Sequence, residues 1–263
     1  MFFTRKRARL MVCGLLCYLP AAFAVQDPQA ILSASDAIRN PTQSFSLTTQ
    51  LLDYQNGKQK DATTVIVYSR PDPRSGQYRS LLRFTAPERD AGKLMLKQDQ
   101  DIWFYEPASK ASVRISPQQR LLGQAANGDV VSTNFAADYK ATAQAEEVIE
   151  DGHRKQQVSI RLTLKASTPQ AVYHHIELWV KKEGWDPIKA QFYSESERLL
   201  KTAWYRRYEQ QLGASRPTEI VIIDGLDPQL VTIMRNQDYH FRDIPERWFQ
   251  RDYLVNFRAD ATP

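Results

Sequence analysis

From Phe45 onward, apolar and polar positions alternate with a period close to two, and turn residues break the alternation every eight to fifteen residues. Phe45, Leu47, Thr49 and Leu51 alternate with Ser44, Ser46, Thr48 and Gln50, which predicts a strand with one buried face. Asn56-Gly57 then supplies a tight hairpin, and Asp61–Arg70 and Gln77–Ala86 read as the returning strands. Three short extended segments follow, Gly92–Lys97, Asp101–Glu106 and Ser112–Ile115, joined by turn residues at Asp99–Asp101 and Pro107–Lys110. Their centre, Ile102-Trp103-Phe104-Tyr105, does not alternate, so both faces of the sheet need covering there. Further strands are predicted over Tyr139–Ile149, Gln157–Lys165, Val172–Lys181, Ile188–Phe192, Leu199–Glu209, Arg216–Asp224 and Leu230–Gln237. Residues 141–147 fit a helix equally well.

Two segments carry a different period. Ala30, Ile31, Ala34, Ala37 and Ile38 recur at helical spacing between Asp27, a capping residue, and Asn40-Pro41, a stop. Near the C-terminus, Ile244 to Phe257 reads as a helical turn or two that closes the open edge of the sheet. Residues 120–138 have little periodicity; Leu121-Leu122-Gly123 fits a short helical turn and Asn127-Gly128-Asp129 an exposed loop, a natural place for a lid. The expected fold is mainly β: a curved antiparallel half-barrel of about 10–12 strands packed on the N-terminal helix, with short helical segments closing it.

The first residues change the charge picture. Arg5, Lys6, Arg7 and Arg9 precede the apolar run Leu10–Leu19 and the cleavage signal Ala22-Phe23-Ala24, the pattern of a secretory leader over residues 1–24, leaving one domain over 25–263. Both cysteines, Cys13 and Cys17, fall inside it, so the mature chain has no thiol or disulfide. Of the 35 Lys and Arg, four lie in the leader, leaving 31 against 30 Asp and Glu, a balance that removes the main support for nucleic-acid binding.

Candidate chemistry is sparse. His174-His175 are strand neighbours pointing to opposite faces, and no H-x-H or H-E-x-x-H is present, so neither metal nor cofactor is expected. There is no G-x-S-x-G, and the paired carboxylates Glu146-Glu147, Glu150-Asp151 and Asp99/Asp101 lie beside polar turns. The cluster Trp204-Tyr205-Arg206-Arg207-Tyr208 splits by alternation between two faces; Trp204, Tyr205 and Arg207 are candidates for a surface that docks on a partner. The surplus is apolar: Leu94, Met95, Leu96 and Ile102–Tyr105 fit either a two-sided core or the lining of a cavity.

Taken together, Arg79–Pro87 with its R-F-x-x-P, Gly92–Leu96, Ile102–Pro107 with W-x-Y-x-P, Val113-Arg114, Arg120 and the late Ile244-Pro245, Phe249 and Tyr253-Leu254 resemble the LolA-like superfamily of outer-membrane lipoprotein-sorting proteins. The nearer branch is the larger one, often associated with lipid exporters of the resistance-nodulation-division type. The resemblance implies a periplasmic, non-enzymatic carrier of lipoprotein or lipid acyl chains, working between a membrane donor and acceptor such as an exporter of that type. It implies an acyl wall of Phe84, Leu94, Leu96, Trp103 and Tyr105, and headgroup or carbonyl contacts from Arg83 and Arg114. Leu121, Leu122 and Phe135 become lid candidates. The stretch Gly128–Phe135 departs from the family pattern, with Asn134-Phe135 where Asp-Phe is expected, and Phe104 adds an aromatic between Trp103 and Tyr105. The alternative role is a soluble subunit docked on a membrane exporter or envelope complex.

Overall fold

The computed structural model describes residues 27–98, 101–168 and 171–258. The leader, with its cleavage signal, and part of the Asp99–Asp101 turn lie outside these residues. Helix α1 (Pro28–Arg39) begins where expected: the Asp27 carboxylate accepts from the Gln29 amide at 3.2 Å, and Pro28 occupies the first turn. It ends at Asn40, ahead of Pro41.

Six strands follow: β1 (Phe45–Gln55), β2 (Lys58–Pro71), β3 (Tyr78–Ala86), β4 (Leu94–Gln98), β5 (Asp101–Glu106) and β6 (Ala111–Ile115). A connection then holds the small hairpin β7 (Arg120–Leu122) and β8 (Ala125–Ala126) and the helical turns α2 (Asn127–Val130) and α3 (Phe135–Asp138). Seven more strands complete the sheet: β9 (Tyr139–Glu150), β10 (Gln156–Ala166), β11 (His175–Lys181), β12 (Pro187–Tyr193), β13 (Leu199–Gln211), β14 (Ala214–Asp224) and β15 (Leu230–Phe241). Two 3-10 segments, Glu246–Phe249 and Arg251–Asn256, end the described chain.

The mainly β, antiparallel character is as expected; the half-barrel is not. The large sheet has 13 strands in the order β6-β5-β4-β3-β2-β1-β15-β14-β13-β12-β11-β10-β9, and it is neither closed nor strongly curled. Closure requires edge strands to pair, and here β6 and β9 remain the two edges. The chain between them is no hairpin. It leaves the sheet and lies over one face, so β6 and β9 end at opposite extremes of the order. Alternation counts strands well but carries no information about curvature. Among the described residues the one pairing between strands distant in sequence joins β1 to β15, with Leu51 opposite Met234 and Thr49 opposite Asn236.

Each face has its own cover. On the first, α1 and the connection lie over Phe45, Leu47, Val67, Leu82, Met95, Leu162, Ile176 and Ile222, all buried. On the second, Tyr68, Leu81, Leu94, Leu96 and Tyr105 pack under Ile244, Trp248, Phe249, Leu254 and Phe257. The C-terminal segment therefore does not close a sheet edge as expected. It lies across the face of β2–β5, because Trp248 and Phe249 gain most by burying against the apolar side chains there, each by roughly 1.5–3 kcal/mol. This explains the lack of alternation in β5: Ile102 faces the first core and Tyr105 the second.

The connection also differs in detail from expectation. Leu121-Leu122-Gly123 is strand and turn, not helix, and Gly123 adopts φ +52°, where a Cβ would fall 2.0 Å from Asp53 Oδ1. Asn127 and Gly128 are buried in α2 and do not form an exposed loop.

Candidate functional site

Between the first face and its cover lies a cavity of about 130 Å³. Its floor includes Phe45, Leu47, Val67, Ile220, Ile222 and Met234 from the sheet, and its roof Val130, Val131 and Phe135 from the connection. Tyr173, Phe192 and Tyr205 add aromatic walls, with Tyr173 and Phe192 ring centroids 4.6 Å apart. The lining is mostly apolar, and polar groups gather where the roof meets its supports.

Two pins hold the roof. The first is Asp129 of α2, which forms an ion pair with Lys201 of β13 and accepts from the Tyr173 hydroxyl at 2.8 Å and the Ala126 amide at 2.7 Å. Lys201 also lies over the Tyr173 ring at 4.9 Å. Burial, reinforced by the Asp129 charge, pushes the Tyr173 phenol well above its ordinary value.

The second pin joins α1 to α3. Asp36 accepts from the Ala136 amide at 2.7 Å and pairs with Arg39, whose guanidinium stacks 3.9 Å over the Phe135 ring. Burial raises the Asp36 carboxyl despite the opposing pull of Arg39. Asn40 Nδ2 donates to the Thr133 carbonyl at 2.9 Å. Arg216 Nη1 donates to the Ala37 and Ile38 carbonyls at 3.0 and 2.8 Å, satisfying the helix C-terminus. The roof is thus held by side-chain and backbone hydrogen bonds and not by sheet pairing.

The expected site residues divide between the two faces. Phe84 is buried on the first, edge-on to Phe104 at 5.9 Å, but does not line the cavity. Leu94, Leu96 and Tyr105 belong to the second face, where Trp103 packs against them partly buried. Leu94 is opposite Tyr105 and Leu96 opposite Trp103, so the structure brings these four together beneath the C-terminal segment. Arg83 is opposite Leu94 on that second face, and its Nε is buried with no hydrogen-bond partner. Arg114 is exposed and paired with Asp101. Of the lid residues, Phe135 lines the cavity, while Leu121 and Leu122 pack partly buried against the first core. In the proposed docking cluster, Tyr205 is buried in that core, and Arg207 sits at φ +50° in β13 between the Arg206–Glu219 and Tyr208–Pro217 pairs.

Sequence reasoning missed both pins. Leu32, Asp36 and Arg39 fall at helical spacing on one stripe of α1, and a charged pair on an apolar stripe was a readable signal. Nothing local marks Asp129 and Lys201, which are 72 residues apart. Among the described residues no group of three His, Cys, Asp or Glu side chains could hold a metal ion, and no helix is long and apolar enough to cross a membrane. His174 is exposed, and His175 stacks on Tyr193 with Nδ1 3.0 Å from Glu197.

A LolA superfamily protein of Nitrosomonas europaea has the same architecture, with a TM-score of 0.77 and 32% identity over 86% of this chain and 99% of its own. The chain belongs to the LolA superfamily. Two more distant structures share the fold. One, described as an outer membrane lipoprotein-sorting protein domain of Vibrio parahaemolyticus, has 20% identity and a TM-score of 0.69, covering 86% of this chain and 97% of its own. The other, a DUF1329 family protein of Desulfovibrio piger, has 20% identity and a TM-score of 0.73 over the same shares. A family model described as an uncharacterized protein matches residues 76–256 of this LolA-superfamily chain. No curated protein matches it.

Proposed function

We propose that this LolA-superfamily protein is a periplasmic carrier, exported by its N-terminal leader, that takes up the acyl chains of a lipoprotein or lipid and passes them between membrane components without catalysis. The observation that carries this reading is the apolar cavity under a roof that is not paired into the sheet and is held by two ion pairs, hydrogen bonds and the packing of Val130, Val131 and Phe135. A cavity of about 130 Å³ is small for an acyl chain, so loading requires the roof of α1, α2 and α3 to lift. Each methylene buried there contributes about 0.8 kcal/mol, enough for one chain to offset the loss of both pins. The closed roof lowers net affinity by the same amount that opening it costs, which lets an acceptor recover the cargo.

The second-face residues Leu94, Leu96, Trp103 and Tyr105 form an acyl wall in this reading only if the C-terminal segment also moves. A membrane exporter is a fitting donor, and the kinship with lipoprotein-sorting proteins supports that class of partner without naming one.

The test is native mass spectrometry of the mature protein from its own periplasm, then after incubation with phospholipids and diacylated lipopeptides. A stoichiometric acylated adduct is expected, abolished by Ala203→Phe, which fills the cavity from β13. A protein that remains empty with every lipid offered refutes the carrier reading and favours a docking subunit.

A further inference from the structure

A second cavity, of about 340 Å³, adjoins the first and shares Gly128, Val131, Thr133, Asp138 and Val172 with it. Its distinguishing group is Lys97 of β4. By strand alternation Lys97 lies on the same face as Met95, and it is opposite Ile102 on β5 and Ser80 on β3, all on the first face. Its ammonium has three donors to satisfy. It reaches the Ser132 carbonyl at 3.3 Å and Gln77 Oε1 at 3.5 Å, both at the outer limit of a hydrogen bond. Gln77 Oε1 is already engaged by the Asn134 amide at 3.0 Å.

Asp138 lines the same cavity, but among the described residues no carboxylate lies within ion-pair distance of Lys97. The ammonium is thus half-buried with weak hydrogen-bond partners, and desolvation lowers its affinity for a proton, against the pull of the Asp138 charge, to a pKa of about 8. A partly desolvated charge without a strong partner is costly, and an incoming anionic oxygen lowers that cost.

We infer that the Lys97 cavity receives the anionic phosphate headgroup of an acylated ligand whose chains occupy the adjoining apolar cavity. This rests on the carrier reading and specifies its cargo: a lipid whose polar end carries negative charge, in preference to a neutral glyceride. The two cavities meet at the Gly128–Thr133 roof, so a single ligand spans both when that roof lifts. The arginines expected to meet the headgroup, Arg83 and Arg114, lie outside both cavities.

The test is calorimetric titration of the mature protein with 1-myristoyl lysophosphatidic acid and with 1-monomyristoylglycerol, which share a chain and differ in the phosphate. The wild type is expected to bind the phosphate-bearing lipid about tenfold more tightly, as one charge-assisted contact implies. Lys97→Met should reduce that preference to within about twofold and leave monoglyceride affinity unchanged, while Lys97→Arg retains it. Inorganic phosphate in large excess should not displace the lipid.

Equal wild-type affinities, or a preference that survives Lys97→Met, overturn the headgroup site and leave the carrier reading standing. Displacement by inorganic phosphate alone makes the site one for a free anion and overturns it too. If neither lipid binds, the carrier reading fails and the headgroup site with it. The wild-type comparison decides the matter even if Lys97→Met does not fold.

Discussion

Replacing Asp129 by Asn tests whether the roof is a movable part. Asp129 and Lys201 retain only 12% and 7% of their side-chain exposure, so the pair is desolvated on both sides. Removing one member of such a pair costs about 3–5 kcal/mol, because the other charge stays buried without compensation. Asparagine keeps an oxygen that can still accept from Tyr173 or Ala126, which places the expected loss at the lower end, about 3 kcal/mol. If that loss falls on local opening, amide exchange across α2 should quicken by roughly a hundredfold while β1 and β15 exchange as before. The same shift should tighten acyl-ligand binding by up to a comparable factor, since less free energy is spent on opening. The apolar double replacement Asp129→Leu with Lys201→Met should restore slow exchange to within about 1 kcal/mol of wild type. Hydrogen exchange read by mass spectrometry over 125–131, with lipid titration in parallel, measures both effects. Wild-type exchange in Asp129→Asn, or a double variant no better than the single, refutes the pinned-roof reasoning.

Four further outcomes follow from other parts of the molecule. Trp248→Ala should lower stability by about 3–5 kcal/mol in urea denaturation and raise binding of a hydrophobic dye, because Trp248 is 1% exposed and covers Leu94, Leu96 and Tyr105. Leu96→Glu, a charge placed under that segment at a site with 0% exposure, should impair folding as well as any binding, visible as a lowered Tm. The half-buried Lys97 gives a pH signature: its folded value of about 8 lies below the ordinary 10.5, so the unfolded chain holds the extra proton between those limits. Stability should therefore rise as pH goes from 8 toward 10.5, and Lys97→Met should remove that rise in denaturation midpoints measured between pH 8 and 10. Above pH 10 the sign reverses. Burial raises Tyr78 to about 12, so the unfolded chain loses its phenolic proton first and stability falls from pH 10 to 12. Absorbance titration of the phenols against Tyr78→Phe checks it.

Much of the strand inventory was legible because a half-buried antiparallel strand writes its period directly into the sequence. Asn56-Gly57 marks the β1–β2 turn, and Asp151-Gly152 marks the turn between β9 and β10. The α1 boundaries were readable from Asp27 and Asn40-Pro41, since caps are local chemistry. What was not legible is what depends on distant partners. Asn127-Gly128-Asp129 has the composition of an exposed loop, yet Asn127 and Gly128 are buried and Asp129 is half-buried, because Lys201 and Tyr173 supply the Asp129 carboxylate with partners that water would otherwise provide. Curvature was likewise out of reach: nothing in the alternation of β6 or β9 says whether the two will meet.

The two-sided apolar run of β4 and β5 shows why a binding surface and a structural core look alike in sequence. A side chain such as Leu96 requires only that water be excluded, and it is indifferent to whether the cover is a ligand or the protein's own Trp248 and Phe249. The covers themselves distinguish the cases. The second-face cover presents bulky aromatic side chains that interlock, with Trp248 and Phe257 centroids 4.8 Å apart and Tyr68 and Trp248 5.2 Å apart. The first-face roof presents one aromatic, Phe135, with the smaller Val130 and Val131 around open volume, and is fixed to its supports through charged and polar atoms. Interlocked aromatics lose packing energy steeply on small displacement, whereas hydrogen bonds and ion pairs can be exchanged for water once they open. A carrier needs one face of each kind: a fixed face to keep the sheet in shape and a releasable one to admit cargo. On that ground the first face is where acyl chains should enter.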